Sequence, residues 1–140
     1  MTRKPDNNRV FVYFFGIGTD MEDVERFRKL PFEKNPDFYK RIFTPLEIQY
    51  CLEKGDPYPH FAARFCAKEA VIKVLSDVSQ QVCNLNYKEI QIDVSKAGCP
   101  CVTFKKNARL AVESKNLKIS LSHTSEHAIA TALYIKDRGS

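Results

Sequence analysis

The sequence predicts an α+β protein in which helices pack on an antiparallel sheet. Two observations carry this. Helical periodicity fills most of the first half of the chain, and strand-like alternation most of the second. The last two alternating runs are joined by Thr124-Ser125-Glu126-His127 alone, a hairpin connection too short for a parallel crossover. Helices first and strands later argue against a doubly wound sheet. The chain has 140 residues, enough for one domain with its own core.

In chain order, residues 1–8 read as a flexible polar N-terminus. Arg9 to Phe15 is a β-rich run, apolar on both faces, which suits a central strand. Gly16-Ile17-Gly18 ends it. Thr19 or Asp20 then caps a helix from about Met21 to Leu30. Pro31 breaks that helix, and Asp37 to Phe43 forms another. Thr44-Pro45-Leu46-Glu47 is a helix start with a capping box, and its helix stops near Glu53. After the loop Asp56-Pro57-Tyr58-Pro59, a long helix runs from about His60 to Leu75. Ile90 to Val94 alternates as a strand, Ala97-Gly98-Cys99-Pro100 turns, and Cys101 to Phe104 is the next strand. Asn107 to Glu113 reads as a short helix. Lys118 to His123 and Ala128 to Ile135 form the closing hairpin.

The apolar fraction of 44% and charged fraction of 28% are those of an ordinary globular domain. No apolar run approaches the ~20 residues that cross a bilayer, so no membrane partner is expected. The polar start does not read as a signal peptide. Cys51, Cys66, Cys83, Cys99 and Cys101 are odd in number and lack metal-ligand spacing. Reduced thiols and a cytoplasmic location are the expectation. The net charge of +5 and pI near 9.0 favour an anionic partner without naming it.

Within the long helix, Ala62, Phe65, Cys66 and Ile72 point one way at ~100° per residue. Glu69 and Lys73 fall in the same apolar sector. A buried carboxylate is penalised by roughly several kcal/mol unless it is paired or bound to a cation. Lys73 at i+4 is one candidate partner for Glu69. A helical pair at a wet edge and a functional site are both open from the helix alone. Gly16-Ile17-Gly18-Thr19-Asp20 resembles the start of a dinucleotide fingerprint. Met21 occupies the third glycine position and no βαβ unit follows, so that fold is excluded. The glycines then allow a sharp turn or a ligand approach. Asp20 and Glu69 together, with waters and a phosphorylated substrate, have the donor chemistry of a Mg²⁺ site. Spacing alone does not pair them, because they lie on different elements. His123 shares a strand face with Ile119 and Leu121, and serves as either a structural or a site residue. Ser120 and Ser122 face the other way, without a nucleophile elbow. His60 and His127 have no motif around them.

These residues resemble the holo-acyl-carrier-protein synthases, the small bacterial-type family of 4′-phosphopantetheinyl transferases. The likeness spans about Phe15 to Ile135. It rests on Gly16-Ile17-Gly18-Thr19-Asp20, Arg41 to Glu47, Arg64 to Lys73, Gly98-Cys99-Pro100 and Ile119 to Thr124. The resemblance implies one transferase domain over 1–140 with the 4′-phosphopantetheinyl transferase fold, assembled as a homotrimer. It implies Mg²⁺-dependent transfer of 4′-phosphopantetheine from coenzyme A to a serine of apo-acyl carrier protein, releasing adenosine 3′,5′-bisphosphate and serving fatty acid biosynthesis. By the same likeness Asp20 and Glu69 hold the metal, and Lys73, Lys68, His123, Thr124 and Arg64 contact coenzyme A phosphates. Glu69, or a water near it, is the candidate base. Arg26, Arg28 and Lys29 would dock the acidic carrier protein. Two positions depart from the family pattern: Cys99 stands where a Lys is usual, and Ala63 where Gly is frequent.

The alternative is a basic RNA-binding module without catalysis, supported by the charge and the aromatics Phe11 to Phe15. That run reads as a core strand, and no RNP-like or Gly-x-x-Gly clamp signal accompanies it, so nucleic acid is not the expected partner. A Mg²⁺-dependent phosphohydrolase is a third reading, but nothing marks an activated water.

Overall fold

A computed structural model describes residues 13–78, 85–105 and 114–137. The predicted N-terminal segment, the first residues of the opening strand, Cys83 and the predicted helix at Asn107 to Glu113 lie outside them. The described chain is α+β. In order, it runs β1 (Tyr13–Asp23), α1 (Glu25–Arg28), α2 (Pro36–Ile42), α3 (Pro45–Leu52) and α4 (Tyr58–Val78). There follow β2 (Ile90–Val94), β3 (Pro100–Phe104), β4 (Leu117–His123) and β5 (His127–Asp137).

The strands form two antiparallel sheets. One has the order β1-β5-β4, and the other is the β2–β3 hairpin. β1 pairs with β5 from Tyr13↔Asp137 to Asp23↔His127. The predicted β4–β5 hairpin is present, with His123 opposite Ala128. Gly98, at φ 82°, makes the β2–β3 turn, a conformation that a side chain strains.

The opening segment differs from expectation. Gly16-Ile17-Gly18 does not end the strand, which continues through the glycines to Asp23. The helix expected from Met21 shrinks to the four residues of α1, and its cap position is Val24, without a side-chain cap. Asp20 is therefore a mid-strand residue. The strand wins because β5 offers a hydrogen-bonding ladder along its whole length. Nor is β1 central. It lies at one side of the sheet, and Phe15, Ile17 and Met21 on its outer face are 69%, 66% and 68% exposed.

α4 crosses the other face of that sheet. Its floor is built of small residues. Gly16 and Gly18 on β1 stand opposite Tyr134 and Ala132, and Asp20 stands opposite Ala130. A Cβ on Gly18 would lie 2.3 Å from the Ala70 carbonyl oxygen, and one on Gly16 2.8 Å from Val78 Cγ1. The glycines thus serve close strand–helix packing rather than a turn or a ligand. With that floor beneath it, α4 is buried almost all round, as its composition predicts, from Phe61 to Leu75 with few exceptions. On α4's other side Phe27, Tyr39, Phe43 and Phe61 form a buried aromatic cluster. The Tyr39 hydroxyl donates to the Leu30 carbonyl at 2.7 Å, so its burial leaves no donor unpaired.

Candidate functional site

The small-residue floor sets the site's spacing. Because Gly18 lets α4 approach at Ala70 and Lys73, the next inward-facing residue of β1, Asp20, comes beside Lys73. Lys73 Nζ lies 3.2 Å from Asp20 Oδ1 and donates to the Thr19 carbonyl at 2.8 Å. The lysine therefore pairs across elements with Asp20, not along its helix with Glu69. Glu69 is half-buried, and its Oε1 accepts a short hydrogen bond from the Tyr87 hydroxyl. The buried Cys66 thiol, pushed up to about 12 mainly by burial, also feels the negative charges of Asp20, Glu22 and Glu69. Tyr87 is pushed up to about 12 by burial and its bond to Glu69, with Asp20 adding to the effect. Asp20 and Glu69 thus act on the same two neighbours.

This donor set fits one hard divalent cation. Among the described residues no group of three or more carboxylate, His or Cys side chains could hold a metal alone. Mg²⁺ does not require one, since it is commonly held by one or two carboxylates together with substrate phosphates and water.

Lys68 is placed otherwise than expected. Its side chain is fully buried, and Nζ meets Glu47 Oε1 at 2.7 Å and the carbonyls of Ile42 and Tyr87 at 2.9 Å each. With its donors used inside the core, it does not face a phosphate. Burial lowers its pKa, against the raising effect of Glu47. The costly buried carboxylate of this fold is therefore Glu47, 2% exposed. Its capping box with Thr44 is present, at 2.7 Å and 3.3 Å, and Oε2 also accepts from the Ile92 amide at 3.0 Å. The capping motif was legible in the sequence, but it concealed Glu47's second duty.

Arg64 and His123 do meet. They line a cavity of about 290 Å³ with His60, Ala63, Tyr50, Gly98 and Pro100. The Arg64 guanidinium lies 3.9 Å from the centre of the Tyr50 ring, and its buried Nε has no hydrogen-bond partner. His60 and His123 stack edge to face at 4.7 Å. His60 is held below its ordinary pKa by burial first, then by His123, Arg64 and Lys54, against Asp56. This is a cationic pocket suited to an anion. His60 was missed, although its i,i+4 spacing from Arg64 put it on the same helix face. Thr124 is not among the lining residues. Its hydroxyl accepts from the Glu126 and His127 amides and builds the β4–β5 turn. Cys99 is exposed in the β2–β3 turn.

The proposed docking residues divide. Arg28 is held by Asp56 in a two-pronged pair at 2.6 and 3.1 Å and also donates to the Ser125 carbonyl. Arg26 is exposed, pairs with Glu22 at 2.7 Å and lies over the Phe65 ring. Lys29 is exposed.

Fold and site together define a class: a small α+β protein whose long helix α4 carries Lys73, paired with Asp20 of β1, and Arg64, which lines a pocket with His60 and His123. The chain belongs to the 4′-phosphopantetheinyl transferase superfamily, whose family model matches residues 16–132. Among its relatives, the holo-[acyl-carrier-protein] synthase of Caldanaerobacter subterraneus is 38% identical over 122 residues, covering 85% of this chain and 93% of the relative. That of Chlamydia muridarum is 38% identical over 119 residues, with coverage of 85% and 93%. The Helicobacter pylori holo-[acyl-carrier-protein] synthase, solved in complex with coenzyme A, superposes with a TM-score of 0.69. It is 28% identical, covering 86% of this chain and 99% of that one. Among the described residues no helix is long and apolar enough to cross a membrane.

Proposed function

We propose that this chain transfers the 4′-phosphopantetheine moiety of coenzyme A to a serine of apo-acyl carrier protein. The serine hydroxyl gives its proton to Glu69 or a water near it, and its oxygen forms a bond to the phosphorus that carries pantetheine. The bond from that phosphorus to the bridging oxygen breaks, and adenosine 3′,5′-bisphosphate leaves. The observation that carries the reading is the Asp20–Lys73 pair where α4 rests on Gly18, with Asp20 and Glu69 both acting on Cys66 and Tyr87. Its relatives' names and the coenzyme A complex of the Helicobacter pylori protein support the same reading.

Asp20 and Glu69 would hold Mg²⁺. When bound, the ion neutralises charge on the pyrophosphate as the bond breaks. Lys73, paired with Asp20 in the free protein, would exchange it for a phosphate oxygen. Arg64 and His123 hold the phosphates of the adenosine end, in the pocket that also contains His60. Arg26 and Lys29 form the docking patch for the acidic carrier. A rise of the carrier's KM with salt tests it, and a salt-independent KM would count against docking.

The outer face of β1 and β5 supports a homotrimer. Phe15, Ile17, Met21, Ile129 and Ile135 present a contiguous apolar surface there, larger than scattered exposed side chains need. Light scattering of the purified chain tests this; a monomer at all concentrations would refute it. Cys51, Cys66, Cys99 and Cys101 are free thiols, in keeping with the reducing cytoplasm where carrier proteins are loaded for fatty acid biosynthesis.

The deciding assay incubates the chain with coenzyme A, Mg²⁺ and apo-acyl carrier protein and weighs the carrier. The expected result is a gain of one phosphopantetheine group. Glu69→Gln and Asp20→Asn are each expected to lower the rate by about a hundredfold or more while circular dichroism stays unchanged. Full activity in either variant would sink the cation site. Hydrolysis of coenzyme A without transfer would favour a phosphohydrolase, and inertness with RNA retention a binding module.

A further inference from the structure

Tyr87 has no part in the mechanism so far, yet it is the direct hydrogen-bond partner of Glu69. Its residue is fixed from several sides. The 3₁₀ turn Tyr87–Glu89 is closed by a capping box, in which the Asn86 amide donates to Glu89 Oε2 at 3.0 Å. The Tyr87 carbonyl accepts from the buried Lys68 ammonium at 2.9 Å, and that ammonium is pinned by Glu47. The ring packs 5.6 Å from that of Phe65, one helical turn before Glu69. A core ion pair, a capped turn and a ring contact therefore converge to aim one hydroxyl at one carboxylate oxygen.

We propose that the Tyr87 hydroxyl is a positioning residue for the cation site. It occupies Glu69 Oε1 and turns Oε2 toward Asp20 and the substrate phosphates. This rests on the cation reading above. A glutamate has three side-chain torsions to fix before it can bind a metal, and a ligand already held by its neighbour loses less freedom on binding. The half-buried phenol is a hydroxyl donor at neutral pH, and its hydrogen goes to Glu69 Oε1. The same logic gives the buried Lys68–Glu47 pair a role two bonds removed from the site: it holds the backbone from which Tyr87 reaches out.

The test is Tyr87→Phe, which keeps the ring on Phe65 and removes only the hydroxyl. Mn²⁺ binding is read directly from the free-ion electron paramagnetic resonance signal, with coenzyme A present and the carrier absent. The expected result is an affinity about tenfold weaker, the usual effect of removing a group that orients a metal ligand. The Mg²⁺ concentration that half-saturates transfer rises by the same factor, and the rate recovers at saturating Mg²⁺. In a Glu69→Gln background, Tyr87→Phe changes nothing further. Unchanged Mn²⁺ affinity would overturn the proposal, as would a lost rate that excess Mg²⁺ does not restore. If the unmodified chain binds no Mn²⁺ that Glu69→Gln weakens, the cation reading itself fails and takes this one with it. Should Tyr87→Phe not fold, the unmodified chain still answers. Mg²⁺ is expected to perturb its tyrosine ultraviolet spectrum in a way that Glu69→Gln abolishes, and a flat difference spectrum refutes the role.

Discussion

Lys68 and Glu69 follow one another on α4, and the helix sends them to opposite surroundings. Lys68 is sealed in the core with Glu47, every contact internal. Glu69, turned about 100° further, sits half-buried beside β1, held by a phenol and near a second carboxylate. Both are charges on a largely apolar helix. One has its compensation built into the fold. The other is compensated only in part, which is the condition for binding something from outside. The difference lies in the partner each meets across the helix, so the two sides should fail differently.

The largest effect is expected on the sealed side. Lys68→Met leaves Glu47 buried without its cation, and should cost about 3–5 kcal/mol in denaturant unfolding. Lys68→Met with Glu47→Leu should recover much of that loss, since an apolar pair can replace a buried ion pair. It also frees the Ile92 amide, so recovery should be incomplete. If the single variant unfolds like the parent, the sealed charge is not a structural pair. A middle effect is expected from Gly18→Ala, which strikes both sides. Its methyl must push α4 off β1 at the Ala70 carbonyl, for about 1–3 kcal/mol of overpacking. It should also loosen the Asp20–Lys73 contact, so that transfer falls more than stability predicts. Equal activity at full folding would show that the spacing is not critical.

The smallest effect concerns the anion pocket. His60 is held below 6.5 in the free protein, so it is neutral at pH 7. The unfolded chain takes up its proton first as pH falls, so His60's contribution to stability is present above pH 6.5 and declines below it. A phosphate in the cavity reverses the local charge and raises the His60 pKa. Coenzyme A should therefore bind several-fold tighter at pH 6 than at pH 8, since raising that pKa by about one corresponds to about tenfold in affinity for the protonated form. His60→Gln should flatten that dependence in titration calorimetry. An unaltered slope would refute a part for His60 in that dependence.

Much of this fold was legible. The capping box at Thr44, the buried character of α4, the β2–β3 hairpin and the closing hairpin follow from short-range rules, and each is present. The errors cluster where tertiary pairing overrides local signals. Gly16 and Gly18 read as strand breakers, because nothing near them in the chain announces a helix pressing on the backbone. Once the strand was ended there, Asp20 read as a cap or a metal ligand at a helix start, never as a mid-strand residue. Within the site, Asp20, Glu69, Lys73, Arg64 and His123 were marked by the family likeness, and the fold brings them to α4 and its neighbours. Lys68 was misplaced because a lysine beside a catalytic-looking glutamate looks like a ligand. Only a contact 21 residues away in sequence, Glu47, shows that it is not. Tyr87 carries no periodic signal at all and was invisible.

β1 can finally be regarded as one sentence in two interleaved alphabets. Its even positions, Gly16, Gly18, Asp20 and Glu22, address the helix side. Its odd positions, Phe15, Ile17, Thr19 and Met21, address the opposite side. A side-chain period of two means that slipping the strand by one residue exchanges the messages completely. Isoleucine would be driven into one glycine seat under α4, with phenylalanine or threonine in the other, and the aspartate would be delivered to the apolar surface. An inserted or deleted residue between Tyr13 and Asp23 therefore has no mild form. It takes Asp20 from Lys73 and breaks up the apolar row together, and the long ladder to β5 is what keeps the two texts in phase.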